Sequence, residues 1–384
     1  MSAPAADVEA MLRGKAICVC AGPGGVGKTT TAAAIAVGMA ARGKKVAVLT
    51  IDPARRLANS LGLEELGNEA RRIDDKHLAK AGITLEGTGE LWAMMLDAKR
   101  TFDDLIENNA PDSQTRDAVL GNRIYQELSS AVAGSQEYMA MEKLYELHEQ
   151  GDYDLLVLDT PPTRNALDFL DAPKRLSRFI DSRSLQFFTG GGLRGFKLFS
   201  RGTGAIFAVM KRATGIDLLQ DLSEFFRSFG EMAGGFRERA ERVNELLADK
   251  RTSFVVVTSP ARDSIDEAVF FHRRLSESGL SFGGVVVNRM HELEGVEDPG
   301  PGDAASLERE LAKELAKELG DPLARKVARN LDDYRRLAGR DRENLGHLRK
   351  ELGRARMITV PHLDEDVHDL AGLARMNEYL FRAA

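Results

Sequence analysis

The sequence predicts an α/β fold: a mostly parallel sheet covered by helices, with an inserted helical subdomain. Three observations lead there. Short, continuous apolar runs such as Lys45-Val46-Ala47-Val48-Leu49-Thr50-Ile51 and Ser253-Phe254-Val255-Val256-Val257-Thr258 recur between stretches of helical period, the pattern of strands buried on both faces. A glycine-rich turn follows an earlier run of the same kind, Ala16 to Cys20, and leads straight into an alanine-rich helix. Between the fourth and fifth runs the composition changes, and 11 of the 17 phenylalanines fall between Phe169 and Phe236. A chain of 384 residues has room for two ordinary domains or for one large α/β domain with an insertion.

The first strand, Ala16-Ile17-Cys18-Val19-Cys20, precedes Ala21-Gly22-Pro23-Gly24-Gly25-Val26-Gly27-Lys28-Thr29-Thr30, and a helix runs on through Val37 to end near Gly43. The spacing from Gly22 to Gly27-Lys28-Thr29 fits G-x-x-x-x-G-K-[ST], and a strand before it and a helix after it complete the context of a phosphate-binding loop. Gly22, Gly24, Gly25 and Gly27 let successive backbone N–H groups turn toward phosphate oxygens, and the helix N-terminus adds partial positive charge. Lys28 is expected to reach the β- and γ-phosphates and Thr29 to bind Mg²⁺ through its hydroxyl. Alone, this loop specifies ATP or GTP with Mg²⁺.

The second strand, Lys45 to Ile51, ends in Asp52-Pro53. A third, Glu90 to Leu96, is followed by a helical stretch, and the fourth, Leu155 to Leu158, ends in Asp159-Thr160-Pro161-Pro162-Thr163. Asp159 stands where a carboxylate orients Mg²⁺, usually through a water, and Asp52 is the candidate for positioning the attacking water. The plain alternative for both is capping of the following turn. Strands at Ser253 to Thr258, Gly284 to Val287 and Met357 to Val360 complete the sheet. The resulting division is a nucleotide-hydrolase core over residues 14–98, 149–170 and 251–384, and a helical subdomain over 99–148 and 171–250.

In the insertion, Leu218, Leu222, Phe225, Phe229, Met232 and Phe236 recur at helical spacing, and Leu219 and Phe226 widen the stripe. Two readings stay open: an ordinary helical core or dimer interface, and an adaptable groove or lid for an apolar client segment. Membrane-surface insertion is a smaller third. Ala304 to Arg356 mixes both signs of charge and reads as long exposed helices. His362 and His368, near Asp364, Glu365 and Asp366, read as an acidic surface loop rather than a metal site. Cys18 and Cys20, two apart on one strand, are expected as buried thiols on one face. A formal charge of −6 argues against a nucleic-acid surface. Met1 to Lys15 has no basic segment followed by an apolar core, and no run reaches the roughly 18 apolar residues needed to span a bilayer, so a cytoplasmic location is expected.

Together, the loop from Gly22 to Thr30, Thr50-Ile51-Asp52-Pro53-Ala54, and Asp159-Thr160-Pro161-Pro162-Thr163 resemble the arsenite-pump ATPase and tail-anchored-protein targeting ATPase family. The resemblance implies Mg²⁺-dependent ATP hydrolysis, with Asp52 in switch I activating water and Asp159 through Thr163 forming switch II. Val287-Asn288-Arg289 matches the family's adenine-reading strand end, with Asn288 reading the base, and Val360-Pro361 resembles its strand-proline loop beside the adenine. The nucleotide-binding set is then Gly22, Pro23, Gly24, Gly25, Val26, Gly27, Lys28, Thr29, Thr30, Asn288, Arg289 and Pro361.

Family members usually carry a lysine right after the first loop glycine, which contacts nucleotide across a head-to-head dimer. Here that position is Pro23. The expected assembly is a homodimer, or a heterodimer with a paralogue carrying that lysine, unless Arg55 or Arg56 brings the charge within the same subunit. The chain has neither the Cys-x-x-Cys pair used for zinc at the dimer interface nor the thiolates of an arsenite site. Two further classes stay in view: a partition or division-site ATPase, and a nucleotide-binding scaffold with little turnover.

Overall fold

The computed structural model describes residues 7–52, 55–123, 125–126, 135–160, 172, 218–292, 312–314, 316–317 and 321–382. Eight strands form one sheet: β1 (Ile17–Ala21), β2 (Lys45–Thr50), β3 (Arg71–Arg72), β4 (Glu90–Met95), β5 (Leu155–Asp159), β6 (Thr252–Thr258), β7 (Phe282–Met290) and β8 (Met357–Pro361). Their order is β3-β4-β2-β5-β1-β6-β7-β8. Every neighbouring pair is parallel except β3 with β4. The apolar runs located seven of these strands. The eighth, β3, is two exposed arginines paired by main chain to Ala93 and Trp92, so it leaves no apolar signature.

The helices among the described residues are α1 (Val8–Leu12), α2 (Lys28–Ala41), α3 (Arg56–Ser60), α4 (Asp75–Lys80), α5 (Ala98–Asn109), α6 (Ser113–Leu120), α7 (Ser135–Gln150), α8 (Leu218–Ala248), α9 (Arg262–Glu277), α10 (Asp321–Leu352) and α11 (Leu370–Leu380). Strand residues alternate between two cores, which is why the strands read as unbroken apolar runs. Cys18, Cys20, Val46, Val48 and Val157 pack with the alanine face of α2 and with α11. Ile17, Val19, Leu49, Leu158 and Val256 pack with helices α5 to α10 on the other face. Both cysteines are buried free thiols, their sulfurs 4.0 Å apart.

On α8 the apolar stripe turns inward. Phe225, Phe229, Met232, Phe236, Ala240 and Val243 are buried, with ring centroids 5.6 Å apart for Phe225 and Phe229 and 5.0 Å for Phe229 and Phe236. Phe102 of α5 meets Phe236 edge-on, and Tyr125 stacks on Phe225. These positions are core of the chain itself, one of the two readings left open. Phenylalanines 169 to 207, the run Gly190-Gly191-Gly192, and the side chains of Leu218, Leu219 and Leu222 lie outside the described residues. Phe236→Ala should cost about 3–5 kcal/mol of folding stability in chemical denaturation; a loss within the error of the fit would contradict its place in the core.

The charged segment departs from expectation. α10 is not exposed all round: Ala324, Ala328, Ala338, Leu345, Leu348 and Leu352 form a buried stripe, and the helix lies against α9. Its alanines are small enough for close helix packing, while the charges that dominate the composition line the outer face. No described helix is long and apolar enough to cross a membrane.

Candidate active site

The C-terminal ends of β1, β2 and β5 lie level: Cys20 pairs with Asp159, and Asp159 with Thr50. In open α/β sheets the crevice beyond these ends is where ligands bind. The glycine-rich loop leaves β1 there and enters α2 at Lys28. Two of its glycines are required by the space around them. Gly22 has φ +148°, and a Cβ on it would stand 2.0 Å from the carbonyl oxygen of Val257; Gly27 has φ +92°, and a Cβ would stand 2.4 Å from Asn288 Nδ2. Gly27 caps α2 without a side-chain hydrogen bond, which leaves the first-turn N–H groups open to an anion.

Lys28 is buried, and its Nζ donates to the carbonyl oxygen of the equally buried Pro23 at 2.7 Å. Burial pushes the Lys28 pKa down, opposed by the charges of Asp159 and Asp52. Val26 is buried beneath the loop, Gly24 and Gly25 are exposed, and Thr29 and Thr30 are half-buried at the start of α2.

Asp159 ends β5 fully buried. Its Oδ2 accepts from Thr50 Oγ1 at 2.8 Å, and the same hydroxyl oxygen accepts from the backbone N–H of Asp52 at 3.1 Å, so one threonine ties both carboxylate positions together. Asp159 Oδ1 is buried without a hydrogen-bond partner. An orphaned carboxylate oxygen beside the loop fits a hydrated Mg²⁺. Asp52 faces Arg56, whose Nε lies 3.9 Å from its Oδ2, while Arg55 turns away to Glu65 at 3.1 Å. α3 begins after Arg55 with no side-chain cap. Thr160 Oγ1 donates to the carbonyl oxygen of Cys20 at 2.9 Å. Pro53, Ala54 and Pro161 to Thr163 lie outside the described residues.

Burial raises the Asp159 pKa to about 6, against the pull of Thr29, Thr50 and Lys28 and with that of Asp52. In the nucleotide-free protein this group's contribution to stability is full below the ordinary carboxylate value of about 4 and is lost as pH rises through about 6. Asp159→Asn, which cannot ionise, should therefore gain stability relative to the parent as pH rises across that window. Thermal melts that track each other at every pH would contradict it.

At the end of β7, Asn288 is buried; its Nδ2 donates to the carbonyl oxygen of Val26 at 2.9 Å, and its Oδ1 accepts from Arg289 N–H at 3.0 Å. Arg289 is one of two described non-glycine residues with positive φ, at +63°, and its guanidinium donates to the carbonyl oxygen of Gly25 at 3.2 Å. The pairing of β7 with β8 slips between Val287 and Met290, which releases both residues from the ladder toward the loop.

Two adjoining cavities result. One, of about 460 Å³, is lined by the loop, Thr29, Asp52, Arg56, Thr160 and Arg289. The other, of about 270 Å³, is lined by Asn288, Pro361, His362, Val367 and Met376, and shares Gly27, Thr30 and Arg289 with the first. The structure thus brings together the loop, Asp52, Asn288, Arg289 and Pro361, with Asp159 buried next to the cavity-lining Thr160 and Pro23 bonded to Lys28. Sequence reasoning missed His362, Glu365 and Asp366 as lining of the smaller cavity. Their place directly after Pro361 was the available signal. No group of three or more histidines, cysteines or acids among the described residues could hold a metal.

The family model described as "Anion-transporting ATPase" matches residues 15–300. ATPase get3 of Aspergillus terreus is 28% identical over 273 residues, covering 70% of this chain and 71% of that protein. ATPase GET3 of Chaetomium globosum is 28% identical over 271 residues, with 70% and 71% covered. ATPase GET3 of Malassezia globosa is 26% identical over 274 residues, covering 71% of each.

Proposed function

Because the chain belongs to the anion-transporting ATPase family and is an ATPase, we propose that the two adjoining cavities form a single Mg²⁺-ATP hydrolysis site whose turnover moves the helical subdomain. The observation that carries this reading is the convergence of Lys28, Thr29, Asp52 and Asp159 on the C-terminal ends of three neighbouring strands. The phosphates lie in the larger cavity and the adenine in the smaller, between Asn288 and Pro361. Lys28 leaves the Pro23 carbonyl for the β- and γ-phosphates, while the loop N–H groups hold their oxygens. Thr29 and Asp159, the latter through a water, would hold Mg²⁺, which when bound neutralises phosphate charge. Asp52 accepts a hydrogen bond from the attacking water and holds it in line with the γ-phosphorus.

The hydrolase core in this reading is residues 14–98, 149–170 and 251–384, and the moving part is 99–148 and 171–250. The described stripe of α8 is packed inside the chain, so an apolar client would be taken by the rest of the phenylalanine-rich insertion. By resemblance, that client is an apolar protein segment such as a membrane anchor. The working assembly is a dimer of two copies or with a paralogue carrying the loop lysine, in the cytoplasm.

Two measurements test the reading. Purified protein should release phosphate from ATP only with Mg²⁺ present. A labelled apolar helical peptide should bind with an affinity that differs between ATP-loaded and ADP-loaded protein; equal affinity in both states would refute client handling.

A further inference from the structure

Pro23 leaves the loop without a second cation, and the charge around the phosphate cavity shows where compensation arises. Its lining carries Lys28, Arg56 and Arg289 against Asp52. Three cations against one carboxylate leave the cavity net positive. Without the two arginines the same walls carry no net charge to hold a polyphosphate.

The two arginines are held differently. Arg289 sits in the left-handed region, a backbone conformation that costs an arginine about 1 kcal/mol or more, with its guanidinium on the loop carbonyl of Gly25. Arg56 opens α3 four residues after Asp52, and its side chain makes only a long approach to Asp52, at 3.9 Å, among the ion pairs of the described residues. Its mostly exposed side chain lines the larger cavity and not the smaller one, and its charge is felt at Lys28. Arg289 is thus built into the loop, and Arg56 is the cation left on the side of the attacking water.

We propose that Arg56 is the charge-compensating residue of ATP hydrolysis in this chain, acting on the γ-phosphate of its own subunit. The inference rests on the larger cavity being the phosphate site. As water oxygen bonds to the γ-phosphorus, the bond to the β–γ bridging oxygen breaks and its electron pair leaves with ADP. The water proton goes out with inorganic phosphate. A guanidinium between Asp52 and the γ-phosphate offsets charge on the transferring group at that moment. A lysine from a second subunit is then unnecessary for turnover, and any dimer serves client handling.

The test is steady-state hydrolysis and ADP binding by Arg56→Ala, Arg56→Lys and Lys28→Ala, together with a co-expressed mixture of Arg56→Ala and Lys28→Ala chains. Arg56→Ala should lose about a hundred-fold in kcat, with ADP affinity nearly unchanged and Arg56→Lys recovering part of the loss. The mixture should stay inactive, because neither chain holds both residues. Full kcat in Arg56→Ala, or recovery of activity in the mixture, would overturn the proposal. If Lys28→Ala is inactive while Arg56→Ala is not, the phosphate site stands and this inference alone fails; turnover by Lys28→Ala would sink both.

Discussion

Lys28→Ala should lower ATP hydrolysis by about a hundred- to a thousand-fold while leaving the chain folded. Lys28 is the buried cation of the loop and rests on the Pro23 carbonyl at 2.7 Å, already beside the space where phosphate oxygens would sit. A preorganised donor in a water-poor site contributes more than the same group in solvent, and removing one such donor costs about a hundred- to a thousand-fold in kcat. Loss of the cation also weakens phosphate binding, so KM should rise together with the fall in kcat. Stability should change little: burial already disfavours the charged lysine, and alanine is a good helix former at this first position of α2. A variant that melts normally and hydrolyses ATP normally would remove the loop from the mechanism.

Asp52→Asn should separate binding from chemistry. The side chain is 16% exposed at the cavity wall, and its backbone N–H is pinned to the Thr50 hydroxyl that also serves Asp159. Asparagine fits that space but cannot accept a water proton or orient water as a carboxylate does. The expected loss in kcat is about a thousand-fold, with ATP and ADP affinity close to the parent. Removing the negative charge beside the polyphosphate should, if anything, tighten binding. A single-turnover experiment with radiolabelled ATP reads both quantities. Parallel loss of affinity and rate would make Asp52 a structural residue of the turn.

Much of this arrangement is legible from the sequence for definite physical reasons. Strands buried on both faces must be apolar throughout, so seven of the eight can be read directly, whereas β3 depends on main-chain pairing that any residue supplies. The loop motif and the acids that end β2 and β5 are local in sequence and chemically specific. What local reading cannot supply is contact across the chain. Asn288 seats itself on the loop through Val26, 262 residues away, and Arg289 does so through Gly25 by a backbone conformation that no side-chain pattern announces.

The helices divide in the same way. Helical spacing on α8 identified an apolar stripe, but spacing is indifferent to whether the stripe meets its own chain or another. Phe102 and Tyr125 decide it, and they come from segments a hundred residues or more earlier in the chain than the phenylalanines they meet. The reverse holds for α10: its composition is charged, and a buried stripe in which alanines supply three of the six named positions carries too little hydrophobic weight to stand out. Arg56 was one of two neighbouring candidates for a compensating charge. Folding sends Arg55 to Glu65 and leaves Arg56 at the cavity.

The central claim, one Mg²⁺-ATP site spanning both cavities, is tested most directly by an experimental structure of the chain with ADP, Mg²⁺ and aluminium fluoride. The account predicts the fluoride group between Lys28 and Asp52, the metal at the Thr29 hydroxyl with Asp159 behind it, and the adenine between Asn288 and Pro361. Nucleotide bound elsewhere, or phosphates in the larger cavity with the base turned away from Asn288, would contradict it.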